Sequence, residues 1–346
     1  MDSKSRSVVP FYWLLGSAAL VIVIAGIQLA RPLVVPLLIS AFIAVICTPA
    51  LQWLQRKGLP GWLAILIVFL AVSVVVLVVA AIMTGSIASF ISNSDKYYEG
   101  IKNEKEKLIS WLETLGVSVP EKISEVFDPK VLVRFTTSVM LSLTNAFSNA
   151  FLVLLTVLFI LVEAAGFPRK LMALSRGNSS LLDQATKIRE AIAHYISLKT
   201  AVSLLTGVLA GILVSVLGID FPLLWAMLAF FFNYIPNIGS ILAAVPAVIL
   251  ALVQYGLSSA LTAAAGYAAI NIVIGNVVEP RVMGKGLGLS TLVVFISLVF
   301  WGWLLGPVGM LLSVPLTMIV KIVMESFEET RWLSVLLGSN PEPPKS

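Results

Sequence analysis

Along most of this chain apolar residues run on without polar interruption instead of alternating with them. Continuous apolar stretches fall at about 11–30, 33–52, 61–83, 141–163, 200–219 and 258–278. At 1.5 Å per residue each is long enough to cross a hydrocarbon layer of about 30 Å as an α-helix. The first follows Lys4 and Arg6, as a signal peptide would, but is too long for one and lacks a small-residue cleavage site after it, so it reads as a retained span.

Two further apolar stretches, 222–253 and 289–320, are broken inside. The first breaks at Asn233 to Gly239 and the second at Gly306, Pro307 and Gly309. Their halves, of about 12 to 17 residues, are too short to span alone. The second halves also match: Leu242-Ala-Ala-Val-Pro246 against Leu311-Leu-Ser-Val-Pro315, each preceded by a Pro and Gly pair and by aromatics. This weak internal repeat, one full span followed by one broken segment in each copy, is the pattern that marks a transporter's binding site.

Two stretches are polar. Residues 85–140 mix Asp95, Glu99, Glu104, Glu106 and Glu113 with Lys96, Lys102, Lys105 and Lys107. Within them Ile101, Leu108, Ile109, Leu112 and Leu115 recur at helical spacing, which predicts a small extramembrane helical insert acting as a cap or an oligomer contact. Residues 166–199 are rich in Arg and Lys, with Leu181, Leu182, Ala185, Ile188, Ile192 and Ile196 on one stripe. They read as a cytoplasmic amphipathic connection that lies along the membrane surface and turns inward at Lys199. The expected organisation is therefore N-terminal membrane helices (1–84), the insert (85–140), a membrane helix (141–165), the connection (166–199), a C-terminal transport repeat (200–322) and a cytoplasmic tail (323–346).

Composition fixes the solvent: 59% of residues are hydrophobic and 12% charged, with a mean hydropathy of +1.00, far from a soluble norm of about a quarter charged. The fold class is an all-α polytopic membrane protein with about six full spans and two broken or re-entrant segments. The net charge of +5 is a topological signal and not a nucleic-acid surface. One cysteine, Cys47, excludes an internal disulfide, and one histidine, His194, excludes a site needing two; His194 reads as an interfacial side chain. The sequence has no P-loop, no HExxH pair and no intramembrane-protease motif, so ATP hydrolysis through a P-loop and those proteolytic chemistries are set aside. No cofactor or metal site is expected.

Each broken segment is either a kinked crossing helix or a hairpin that returns to the side it came from. Hairpins keep Arg56, Lys57, Arg281, Lys285, Lys321 and Arg331 with both termini on the cytoplasmic side and invert the second repeat; crossing helices put Arg281 and Lys285 outside. Irregular backbone at membrane depth must be buried in protein or line a watery cavity, which makes the tips a candidate substrate pathway. Pro236 and Pro307 keep regular helix from closing the gap, and Gly239 and Gly309 let the backbone turn. Asn233 and Asn237 bracket Pro236 and are either solute-binding amides or helix caps. Asn276 and Glu279 share a helix face with Asn271 near it. Glu279 is either an interfacial ion-pair partner of Arg281 or a gating or proton-coupling carboxylate. Gly207 and Gly211 form a GxxxG that signals close helix packing.

The stretches "FNYIPNIGSILAAVPAVILAL" and "NVVEPRVMGKGLGLSTLVVFISLVFWGWLLGPVGMLLSVPL", with "PLLISAFIAVICTPAL" near the N-terminus and a polar insert after the third span, resemble the autoinducer-2 exporter family of bacterial permeases over about residues 10–330. The resemblance implies a multi-pass secondary transporter of the bacterial inner membrane that exports a small polar solute, with autoinducer-2 carried by some members and sodium/proton exchange assigned to others. It implies no agreed set of site residues. A coupling ion, H+ or Na+, and a homo-oligomer are further expectations, and a passive channel or a membrane scaffold is the reading from a different class.

Overall fold

The computed structural model describes residues 9–114, 129–147, 150–174, 179–236, 238–283 and 289–338, and all regular structure among them is helical. The chain is a polytopic all-α membrane protein. Five stretches are long and apolar enough to cross a membrane: Arg31–Arg56, Gly61–Ser92, Glu190–Val216, Leu257–Val282 and Pro307–Glu325. Leu14–Leu29 and Ala150–Ala164 are shorter apolar helices.

In the N-terminal half α1 (Val9–Leu29) rests on α2 (Arg31–Arg56) with nearly all its described side chains exposed, as expected of a lipid-facing surface. Prolines 36 and 49 lie inside α2. Ser40, fully buried, donates to the Pro36 carbonyl and reaches the Val153 carbonyl at 3.1 Å, tying α2 to α6 (Ala150–Leu174). α3 (Gly61–Ser92) packs on α6 through Ala64, Ile65 and Val68 against Val153, Val157 and Leu161. The insert supplies α4 (Ser94–Thr114), and α5 (Pro129–Phe147) packs against both α3 and α4. The run expected as one span at 141–163 is therefore shared between the end of α5 and the start of α6.

α7 (Ser179–Val216) is one helix of 38 residues. It does not turn at Lys199, because no Gly or Pro between 190 and 206 interrupts its hydrogen-bond ladder. Gly207 and Gly211 let α8 (Pro222–Phe232) press close: a Cβ on either would come within 3 Å of Ala226.

Both broken segments are helical hairpins. In the first, α8 and α9 (Gly239–Tyr255) run antiparallel around a tip at residues 233–238. The hairpin's base is closed by Asp220 and Gln254, and Tyr255 OH donates to the Gly218 carbonyl at 2.8 Å. In the second, α12 (Thr291–Leu305) and α13 (Pro307–Glu325) flank Gly306. Trp301 Nε1 donates across the hairpin to Thr317 Oγ1 at 3.0 Å, and the Ser290 N–H reaches the Leu337 carbonyl of the short helix α14 (Arg331–Leu337), which packs on α13.

These hairpins enter from opposite ends of the bundle. The base of the first adjoins the C-terminal end of α7, and its tip bonds Thr200 and Ser203 further back along that helix. The second begins at Leu289, packed against Tyr195 and Ile196 towards the other end of α7. Its tip reaches Arg31, whose guanidinium lies against Gly306. On α2 the residues beside Tyr195 and Ile196 are Phe42, Val45 and Ile46, so Arg31 stands about 16 Å away towards the opposite end. The C-terminal repeat is thus inverted. α10 (Leu257–Val273) links the hairpins and continues through a π-helical turn (Ile274–Val278) into α11 (Glu279–Met283).

Candidate functional site

The tip of the first hairpin is irregular for local reasons. Pro236 carries no N–H, and Gly239 must stay small, because a Cβ there would collide with the Phe232 carbonyl. The tip is held by side chains: Asn233 Nδ2 donates to Ser203 Oγ at 2.9 Å and Tyr234 OH to Thr200 Oγ1 at 2.7 Å. Tyr234 is buried and meets Phe42 edge to face. The backbone N–H groups of the tip find carbonyls close by in the chain, Tyr234 on Phe231, Ile235 on Phe232 and Gly239 on Ile235, so they are paired as membrane depth demands.

Beyond the tip lies a cavity of about 330 Å³. Asn233, Ile235 and Pro236 of the tip form one wall, with Ser240 of α9 beside them; Tyr195 and Lys199 of α7 form another. Asn271, Gly275, Asn276 and Glu279 close it from α10 and its continuation, and Val294 and Val314 come from the second hairpin. In an unbroken α-helix Asn271 and Asn276, five residues apart, point about 140° away from each other. The π turn widens the helix between them, so both face the same space.

Glu279 has a partner that the sequence reading did not name. Its Oε1 accepts from Lys199 Nζ at 2.6 Å, and Lys199 is only 5% exposed. Arg281 is exposed and does not pair with Glu279; the expected ion pair with it is corrected to Lys199. Of the residues expected on the pathway, Asn233, Pro236, Asn271, Asn276 and Glu279 converge on this cavity, and Gly239 shapes its tip. Asn237 lies outside the described residues. Gly306, Pro307 and Gly309 do not line it; they form the second tip, where Gly306 has φ of +73° and a Cβ on Gly309 would strike the Trp301 carbonyl. Lys199 could have been noticed as a lone cation ahead of the apolar run of α7, since an ionisable residue at membrane depth calls for a named partner.

Oppositely directed half-helix hairpins meeting at a polar cavity inside a multi-span bundle define a membrane transport protein. The chain belongs to the AI-2E transporter family, whose model matches residues 18–329. It is 41% identical to the AI-2 transport protein TqsA of Escherichia coli over 92% of this chain and 93% of that one. It is 38% identical to Escherichia coli "Putative transport protein YhhT" over 100% of this chain and 99% of that one. A protein of Haemophilus influenzae is 40% identical over 94% and 95%.

Proposed function

We propose that this protein is a secondary transporter that exports a small polar organic solute across the bacterial inner membrane, with the Lys199 end of the bundle and both termini facing the cytoplasm. One observation carries the reading: three asparagine amides, a serine hydroxyl and a half-buried ion pair surround one cavity at the place where the two inverted hairpins approach. Amides and hydroxyls both donate and accept, which suits a water-soluble solute. Rocking of one hairpin against the other would open the cavity to each side in turn.

The compound to assay first is autoinducer-2, which the name of the Escherichia coli relative carries. Purified protein in proteoliposomes loaded with the solute should accelerate its efflux above that of empty liposomes. The Lys199 and Glu279 pair also favours a second reading, cation/proton antiport, because a carboxylate beside an ammonium in a wet cavity can exchange a proton for a cation. Imposed sodium and proton gradients separate the two: solute efflux indifferent to both supports facilitated export, and strict dependence supports coupling. Liposomes that move neither solute nor ion would turn the reading towards a scaffold.

A further inference from the structure

We infer that the solute class fitted by this cavity is a small zwitterion, with a primary ammonium and a carboxylate spaced as in an α-amino acid. The inference rests on reading the cavity as the solute site and narrows what that site accepts.

Its first ground is the ion pair. Lys199 and Glu279 bring one charge of each sign to the same cavity, with side-chain exposures of 6% and 26%. A solute that enters between them must give each a new partner, because a buried charge left alone is costly. A neutral polyol offers only dipoles to both. An anion compensates Lys199 and strands Glu279, and a simple amine does the reverse. A zwitterion compensates both and keeps the site electrically neutral.

The second ground is the backbone beside Glu279. The Glu279 N–H is committed to the Ile274 carbonyl in the π turn, and the next residue, Pro280, has no N–H. With the Glu279 N–H committed and no N–H on Pro280, the Gly275 carbonyl lacks both its α-type and its π-type donor. Gly275 lines the cavity. A primary ammonium has three N–H donors and needs three oxygens around it. The Glu279 carboxylate, the Gly275 carbonyl and the amide oxygen of Asn276 supply them within about one turn, with the Asn271 amide one turn further back. The solute carboxylate then takes the ammonium of Lys199 and an amide N–H from the facing tip, where Asn233 stands. At about 30 Å³ per water, the cavity of about 330 Å³ has ample room for a short-chain amino acid.

The test uses four probes of similar size on the full chain: L-serine (zwitterion), ethanolamine (amine), lactate (carboxylate) and glycerol (polyol). Thermal stabilisation in detergent and counterflow in proteoliposomes read binding and movement. Serine is expected to stabilise the protein and to exchange, with each of the others at least tenfold weaker. Serine exchange is also expected to be unaffected by a potassium diffusion potential set with valinomycin, because no net charge moves. Replacing both charges together, Lys199→Met with Glu279→Gln, strands neither one; it should keep the size-exclusion profile and abolish the serine response. A glycerol response equal to that of serine, or a serine response retained in the double variant, would overturn the inference. Autoinducer-2 efflux measured in the same liposomes separates the failures. If it proceeds while serine neither binds nor moves, the zwitterion inference falls and the export reading stands. If nothing moves, both fall.

Discussion

Asp220 and Gln254, 34 residues apart, grip each other twice at the base of the first hairpin: the Asp220 backbone N–H donates to Gln254 Oε1 at 3.1 Å, and Gln254 Nε2 donates to the Asp220 carboxylate. This clasp joins the two ends of a segment that returns to the side it came from. It also carries the insert, because Tyr97 of α4 donates its hydroxyl to the same carboxylate at 3.4 Å.

Burial, and then the neighbouring Asp220 charge, push the Tyr97 hydroxyl up to about 12. A folded value above the unfolded one means that this contact stabilises fully below the ordinary tyrosine range and is lost as pH rises through the folded value. The contact between insert and hairpin should therefore weaken between about pH 10 and pH 12. Thermal unfolding in detergent across that range should show a fall that Tyr97→Phe reduces. An identical fall in the Phe variant would assign it to other groups.

The glycines of the two tips should be intolerant in the same way. Gly239→Ala drives a methyl into the Phe232 carbonyl and Gly309→Ala into the Trp301 carbonyl, each expected to cost about 1–3 kcal/mol by forced displacement of backbone. Gly26→Ala meets nothing within 4 Å and should be neutral or slightly stabilising in a helix interior. Thermal midpoints of the three variants compare them directly, and equal midpoints would contradict the hairpin geometry.

Single neutralisations of the ion pair should be unequal. Glu279→Gln strands the ammonium of Lys199, which is 6% exposed; Lys199→Met strands a carboxylate that is 26% exposed and can be hydrated. The Glu279 variant should be the less stable of the two, by roughly 1 kcal/mol, with the double variant more stable than either. Unfolding midpoints and a double-mutant cycle measure this, and additive losses would mean that the pair is uncoupled.

The inverted arrangement places Ser258 and Arg281, both exposed, at opposite ends of the helix that joins the hairpins. In a Cys47→Ser background, Ser258→Cys should react with an impermeant maleimide in intact cells and Arg281→Cys only after permeabilisation. Labelling of Arg281→Cys from outside would reverse the assigned orientation.

The breaks were legible in the sequence because their signals are local: Pro and Gly inside an apolar run, repeated about 69 residues apart; the choice between hairpin and kinked span rested on the placement of Arg281 and Lys285 and was not local. The amides of Asn233, Asn271 and Asn276 and the carboxylate of Glu279 stood out for the same reason, as polar groups in oil. Lys199 did not, since it borders a basic stretch and its partner lies 80 residues away. Without that partner the residue looked like the point where a surface helix turns inward. The π turn escaped as well, because the weak helix formers Gly275, Asn276, Val277 and Val278 ahead of Pro280 lower helix propensity without showing how the hydrogen bonds shift. Periodicity counted at 3.6 residues per turn put Asn271 near the face of Asn276 and Glu279, but the hydrogen-bond register that turns Asn271 and Asn276 to one side is not visible in it.

The seating of Asn233 on Ser203 and of Tyr234 on Thr200 has a consequence for biogenesis. An arm as short as Pro222–Phe232, ending in polar backbone, gains little by leaving the insertion machinery for lipid on its own, because its tip would carry unpaired groups into hydrocarbon. The hydroxyls that receive this tip sit on α7, which leaves the ribosome first, so a docking place exists before the hairpin arrives. The second tip likewise finds Arg31 already installed from the start of the chain. The order of synthesis thus supplies each re-entrant segment with its receptor in advance, and a permuted chain that makes the hairpins before α2 and α7 would expose them to quality-control proteolysis at the membrane.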